Sequence, residues 1–210
     1  MVTLFIDTIE VKAKKGSNLL WVALDNGIFI PNLCALMDFD PPPASCRLCF
    51  VEVSGSKLPV PACTISVDEG MKINLNTEKI KRIRKTAFEL LLSNHALDCA
   101  GCKKNRQCEL QNIASKLGLK MKLTKLRKIE RGLPIDSTHP LFDYNPNKCV
   151  LCGRCVEVCK RKGDGVLDFA FRGINSMVST FNGIPLSEAC TSNCLACVDV
   201  CPVASLVRKI

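Results

Sequence analysis

Fifteen cysteines in 210 residues constrain this chain more than any other feature, because they are grouped rather than scattered. The groups are Cys34, Cys46, Cys49 and Cys63; Cys99, Cys102 and Cys108, with His95 just ahead of them; Cys149, Cys152, Cys155 and Cys159; and Cys190, Cys194, Cys197 and Cys201. A secreted disulfide scaffold uses an even number of cysteines in a shorter chain behind a signal peptide. Here the number is odd, and Met1–Asp7 reads directly as a strand, without a charged n-region or an apolar h-region. No apolar stretch approaches the length that crosses a bilayer. The expectation is a cytoplasmic chain in a reducing compartment, where clustered thiols mean metal.

The remaining composition is that of a soluble globular protein, 47% hydrophobic and 23% charged, long enough for one large domain or two to three small ones. Three segments are expected. Residues 1–75 read as β structure with one helix. Val2, Leu4 and Ile6 alternate, as do Ile9, Val11 and Ala13, which predicts a hairpin. Ser17 is the expected N-cap of a helix through Asn26, with Gly27 as its left-handed stop. Pro41–Pro43 is loop, and short strands are expected near Phe50–Val53, Val60–Ala62 and Met71–Leu75. Residues 76–140 read as helical and basic. Thr77 caps a helix with an apolar stripe of Ile80, Ile83, Ala87, Leu90 and Leu91, a second helix runs from Glu109 to Leu117, and Gly118 stops it. The stretch to Pro140 is connection, with His139 on the surface. Residues 141–210 are short turns around the two paired cysteine runs, an internal repeat.

The formal net charge is +9, with basic runs at Lys79–Lys85 and Lys120–Arg131. This invites a nucleic-acid reading, but metal–thiolate groups add negative charge that the formal count omits, and the aromatic interleaving of a single-strand binder is missing. Solvated surface is the first reading of both runs. Docking of an acidic carrier or partner subunit is the second.

Spacing assigns chemistry to each group. Cys34, Cys46, Cys49 and Cys63 are separated by eleven, two and thirteen residues. One close pair with two outlying cysteines can surround a [2Fe–2S] rhomb, although plant-type ferredoxins place only four residues between their first two cysteines. Cys46 and Cys49 alone would suit zinc. His95, Cys99, Cys102 and Cys108, with gaps of three, two and five, suit either a tetrahedral zinc site or a [4Fe–4S] cluster with one histidine ligand, and the company of other iron–sulfur runs favours the cluster. Cys149, Cys152, Cys155 and Cys159 have the spacing of a bacterial ferredoxin run, in which the fourth cysteine reaches the other cluster. Cys190, Cys194, Cys197 and Cys201-Pro202 form its mate, with one extra residue at Thr191–Asn193. The expected crossing gives Cys149, Cys152, Cys155 and Cys201 to one [4Fe–4S] cluster and Cys159, Cys190, Cys194 and Cys197 to another. The expected cofactors are one [2Fe–2S] and three [4Fe–4S] clusters.

This order of groups, with Cys46-Arg-Leu-Cys-Phe-Val-Glu-Val, Asn105-Arg-Gln-Cys-Glu-Leu-Gln, Asn147-Lys-Cys-Val-Leu-Cys-Gly-Arg-Cys-Val, Arg172-Gly-Ile-Asn and Cys201-Pro-Val-Ala-Ser-Leu, resembles the iron–sulfur region of the complex I large subunit. It also resembles the N-terminal portion of [FeFe]-hydrogenases. It is most similar to the diaphorase-type iron–sulfur subunit of NAD(P)-linked hydrogenases and formate dehydrogenases, the electron-bifurcating type included. Complex I subunits of this kind usually keep four cysteines in the third segment, whereas this chain has eight, and it stops nine residues after Cys201. The resemblance implies an α+β chain: a β-grasp [2Fe–2S] domain over 1–75, a helical [4Fe–4S] domain with one histidine and three cysteine ligands, together with its connection, over 76–140, and a ferredoxin-like 2[4Fe–4S] domain over 141–210. It implies a hetero-oligomer in which a flavin- and NAD(P)-binding subunit, a hydrogenase or dehydrogenase catalytic subunit, and ferredoxin are the partners.

The chain has no G-x-G-x-x-G turn after a strand and no paired acid and base or activated nucleophile. Chemistry on NAD(P), hydrogen or formate is therefore expected elsewhere, and this chain is expected to be a non-catalytic electron-transfer subunit. A free-standing soluble polyferredoxin is the alternative from a second class. A zinc- or cluster-based regulatory protein is the third.

Overall fold

The computed structural model describes residues 1–192 and 194–209, so of the loop Thr191–Asn193 the last residue lies outside the described set. The chain mixes α and β structure and divides into two compact units, Met1–Phe88 and Glu89–Ile210.

The first unit is built on the expected hairpin. β1 (Val2–Ile6) and β2 (Ile9–Ala13) pair antiparallel, with Val2 opposite Ala13 and Ile6 opposite Ile9. The period of two turns Val2, Leu4 and Ile6 inward together, and all three are buried. Helix α1 (Leu19–Asp25) starts one residue later than expected. Ser17 lies one residue too early to cap it: its N–H closes a turn on the Lys14 carbonyl, and its own carbonyl accepts from Val67 N–H. Asn18 takes the position. Its Oδ1 accepts from the Leu20 N–H at 3.0 Å and its Nδ2 donates to the Cys63 carbonyl at 2.6 Å. Gly27 closes the helix at φ +73°. β3 (Phe50–Val53), β4 (Val60–Pro61) and β5 (Lys72–Asn74) complete a five-stranded mixed sheet in the order β2-β1-β5-β3-β4, with β1 and β5 parallel. The core between sheet and α1 is aliphatic, with Leu4, Ile6, Leu19, Leu20 and Val51 fully buried.

Helix α2 (Glu78–Ser93) is capped by Thr77, whose Oγ1 accepts from Ile80 N–H at 3.2 Å, and the division between the units falls within it. Its buried face is rotated from the expected stripe. Ile80, Ala87 and Leu91 are buried as expected, but Leu90 is 56% exposed, while Arg84 and Phe88 are buried. The spacing 80, 84, 88 follows the i, i+4 row of a helix, and a charged residue sits in the middle of it.

In the second unit α3 (Glu109–Lys116) ends at Gly118, φ +63°, as expected. β6 (Phe142–Tyr144) is followed by α4 (Arg154–Lys162), by the hairpin of β7 (Asp168–Ala170) and β8 (Met177–Ser179), by the short helices α5 (Leu186–Ala189) and α6 (Ala196–Asp199), and by β9 (Leu206–Arg208). β6 and β9 pair antiparallel with Tyr144 opposite Leu206, which returns the end of the unit to its beginning. His139 is not on the surface. It is 2% exposed, with its ring 4.1 Å from that of Phe142 and its Nδ1 accepting from the Leu141 N–H. The polar ring is tolerated inside because it is hydrogen-bonded to the Leu141 N–H and the Ser192 backbone, and the strand that starts three residues later carries Phe142 in to cover it.

Candidate metal centres

In the first unit, Cys34, Cys46, Cys49 and Cys63 are all buried and lie within one another's electrostatic reach. They form two thiol pairs. The Cys46 thiol donates to Cys34, and that hydrogen bond pulls Cys34 down to about 5 while Cys46 rises. Cys63 donates to Cys49 with the same consequences, Cys49 lowered and Cys63 raised. The chain turns through positive φ at Ala44, just before Cys46, and again at Arg47, just after it. Cys49 sits at the mouth of β3, and the Ala62 N–H donates to the Cys49 carbonyl at 2.9 Å, which brings Cys63 beside it.

In the second unit, His95, Cys99, Cys102 and Cys108 line one small cavity. His95 follows the end of α2 and is 6% exposed. Its Nδ1 lies 2.7 Å from the Lys148 carbonyl. A carbonyl can only accept, so Nδ1 carries the proton and Nε2 keeps its lone pair for a metal. Burial holds the imidazole below its ordinary pKa, in the neutral form a ligand needs. Cys108 opens α3 and is raised, mainly by burial.

Cysteines of the two paired runs lie near one another. Cys149 lies five residues after Tyr144, and Cys201 five residues before the Leu206 that pairs with it. Cys149, Cys152, Cys155 and Cys201 line one cavity, and burial raises the first three, Cys149 to about 11. Cys159, Cys190, Cys194 and Cys197 form the second set: burial first, then the fields of the other three, push Cys197 up to about 12. The Cys194 Sγ is 3.8 Å from the Lys162 carbonyl at the end of α4, close to Cys159. A Cβ at Gly163 would lie 3.6 Å from that sulfur and 3.3 Å from the Cys159 carbonyl, so the bare glycine leaves room for both. The loop with the extra residue is held by Asp164, whose Oδ2 accepts from the N–H groups of Thr191 and Ser192 at 3.0 Å each, and by His139, whose ring bonds to the Ser192 backbone.

The last three sets are stitched into one unit. Ala96 N–H donates to the Asn147 carbonyl and Asn94 Nδ2 to the Cys149 carbonyl, so the backbone that carries His95 is tied to the backbone that leads into Cys149. Lys104 reaches the Cys201 carbonyl, Glu109 N–H donates to Pro202, and the Glu109 carboxylate pairs with Arg154 at 2.7 Å. Among the described residues, no three His, Cys, Asp or Glu side chains form a group that could hold a single metal ion. Sequence reasoning missed Arg84, which is 5% exposed beside Cys49. Its i, i+4 spacing from Ile80 and Phe88 was the available signal.

Residues 1–78 match the 2Fe-2S iron-sulfur cluster binding domain family, residues 84–122 the NADH-ubiquinone oxidoreductase-G iron-sulfur binding region, and residues 141–167 a 4Fe-4S binding domain. Over its whole length the chain is 36% identical to the NADPH-Fe(3+) oxidoreductase subunit alpha of Geobacter sulfurreducens, of which it spans 24%. It is 33% identical to the NADP-reducing hydrogenase subunit HndD of Solidesulfovibrio fructosivorans, with 99% of the chain and 36% of that protein covered. The chain thus spans only about a quarter to a third of these relatives. A chain of the NAD+-reducing [NiFe]-hydrogenase, crystallised in the H2-reduced state, superposes with a TM-score of 0.87 at 29% identity, over 99% of this chain and 87% of that one.

Proposed function

We infer that this chain, an iron–sulfur protein related to subunits of NAD(P)-linked oxidoreductases and hydrogenases, is a non-catalytic relay of single electrons within a multi-subunit oxidoreductase. The observation that carries the reading is the gathering of all fifteen cysteines and His95 into four buried or half-buried sets. The proposed ligand sets are Cys34, Cys46, Cys49 and Cys63 for a [2Fe–2S] cluster, and His95 with Cys99, Cys102 and Cys108 for a [4Fe–4S] cluster. Two more [4Fe–4S] clusters take Cys149, Cys152, Cys155 and Cys201, and Cys159, Cys190, Cys194 and Cys197. The two thiol pairs of the first set suit two irons with two thiolates each, and thiolates ringed around a multi-iron core need not converge on one point as they do on zinc. When bound, such clusters accept and donate electrons one at a time.

The residues do the rest. Thiolates and His95 Nε2 hold the irons, and the Lys148 carbonyl orients His95. The backbone links from His95 to Cys149, and helix α4 from Cys155 to Cys159, set a consecutive order of three centres in the second unit. The proposed modules are a β-grasp domain over 1–75, a helical domain with one histidine and three cysteine ligands over 76–140, and a ferredoxin-like domain over 141–210. A flavin- and NAD(P)-binding subunit is the proposed donor or acceptor at one end, with a hydrogenase or dehydrogenase catalytic subunit, or ferredoxin, at the other, all in the cytoplasm. Phe169, Phe171, Ile174, Phe181 and Ile184 support a partner face: they lie between Cys159 and Cys190 in sequence and are exposed, Phe171 and Phe181 at 72% and 84%.

Anaerobic purification from the source, followed by mass spectrometry and iron and sulfide analysis, tests this reading. The expected result is a complex with a flavin-binding subunit, and about fourteen irons with as many acid-labile sulfides on this chain. Recovery of the chain alone with that iron would make it a free carrier. Zinc without sulfide would overturn the relay altogether.

A further inference from the structure

Buried arginine is costly unless its charge and its donors are met. Arg154 meets the first of these conditions through the Glu109 carboxylate, although its Nε–H is buried without a partner. Arg84 does not. It is 5% exposed, on the inward row of α2, and it makes no ion pair among the described residues; its guanidinium donates from Nη1 to the Leu75 carbonyl and from Nη2 to the Phe50 carbonyl, at 3.0 Å each. Carbonyls bring dipoles but no countercharge. The third donor, Nε–H, is buried without any partner. Phe50 directly follows Cys49, and the charges whose fields reach the guanidinium are those of Cys49 and Asp7. Burial lowers Arg84 to about 10, which still leaves it charged at neutral pH.

We propose that Arg84 sets the reduction potential of the [2Fe–2S] centre, its fixed charge and its free Nε–H stabilising the extra electron on the sulfur side of Cys49. This rests on the assignment of Cys34, Cys46, Cys49 and Cys63 to that centre. The physics is one-signed. Reduction adds a negative charge to a centre that four thiolates already make negative, and a cation nearby in a low-dielectric interior favours that added charge over the oxidised form. A donor to sulfur acts in the same direction. The missing countercharge of Arg84 is then supplied by the cluster itself, so the centre also satisfies the residue. Arg84 is accordingly a positioning and tuning residue; no ligand bond is assigned to it.

The test is potentiometric titration of the [2Fe–2S] electron paramagnetic resonance signal in the assembled complex, comparing the unsubstituted chain with Arg84→Met and Arg84→Lys. Met keeps length and loses both charge and donor; Lys keeps the charge and loses the Nε–H. The expected order of potentials is unsubstituted chain highest, Arg84→Lys intermediate and Arg84→Met lowest, with the [4Fe–4S] signals unmoved. Direction separates this from a merely structural role, because a loosened and wetter site solvates the more negative reduced form and shifts the potential upward. An unchanged or raised potential in Arg84→Met overturns the proposal. Where that variant fails to hold the centre, Arg84→Lys decides by the same sign. Absence of a [2Fe–2S] signal from the unsubstituted chain sinks the ligand assignment itself, an outcome visible before any substitution is made.

Discussion

At the scale of single residues, what a position does here depends on which of its atoms remain free. His95 has one ring nitrogen spoken for by Lys148 and one open. Replacing it with cysteine would exchange a neutral ligand for an anionic one and stabilise the oxidised state. His95→Cys is therefore expected to retain a [4Fe–4S] signal with a potential lower by on the order of 100 mV, read by the same redox titration; an unchanged or higher value would remove His95 from the ligand set. The cysteines were legible in the sequence because cluster chemistry fixes their spacing locally. The buried histidine and arginine were not. His139, next to a proline in a polar stretch, and Arg84, inside the run Lys79–Lys85, both have the local composition of surface. Only helix phase for Arg84 and the later strand for His139 draw them inside.

At the scale of elements, the strands of the first unit and the glycine stops followed their sequence signals closely, since period-two alternation and glycine stops are local properties, whereas β6–β9 and α4–α6 lie where only short turns were expected. The start of α1 did not follow its signal, because two adjacent residues were both able to cap and the long-range bridge of Asn18 with Ser66 and the Leu19 N–H bond to the Ile65 carbonyl fix where the helix begins. That choice has a use: Asn18 commits its oxygen to the helix and its amide to the carbonyl of Cys63. Asn18→Ala is expected to lower the stability of the first unit by about 1 kcal/mol for the cap, and further for the freed carbonyl. Chemical denaturation followed by the visible absorption of the [2Fe–2S] centre measures it. Asn18→Asp restores the acceptor but not the amide, and is expected to recover the cap's share alone. Equal losses in both variants would mean that the cap contributes nothing.

Over the whole molecule, the two units draw their cohesion from different sources. The first has a sheet and helix around fully buried aliphatic side chains. The second has strands of three residues and helices of four to nine, and seven of its buried core residues are cysteines. Small metal-dependent folds lose structure when the ligands lose their metal. Stripping iron with a chelator under reducing conditions is expected to leave Met1–Phe88 resistant to protease while Glu89–Ile210 is cut, as read by mass spectrometry of the fragments. Equal susceptibility of the two would contradict this division of cohesion. The centres in the second unit also differ from the first in how the chain encloses them: with the ligand sets proposed, every cysteine of the first has been synthesised by residue 63, whereas the site begun at Cys149 is completed only by Cys201. Maturation thus acquires a direction. An early iron delivery can finish the amino-terminal centre on a nascent chain, but the crossed pair can close only after residue 201 has been made, and until then the site begun at Cys149 stands open with three of its four ligands.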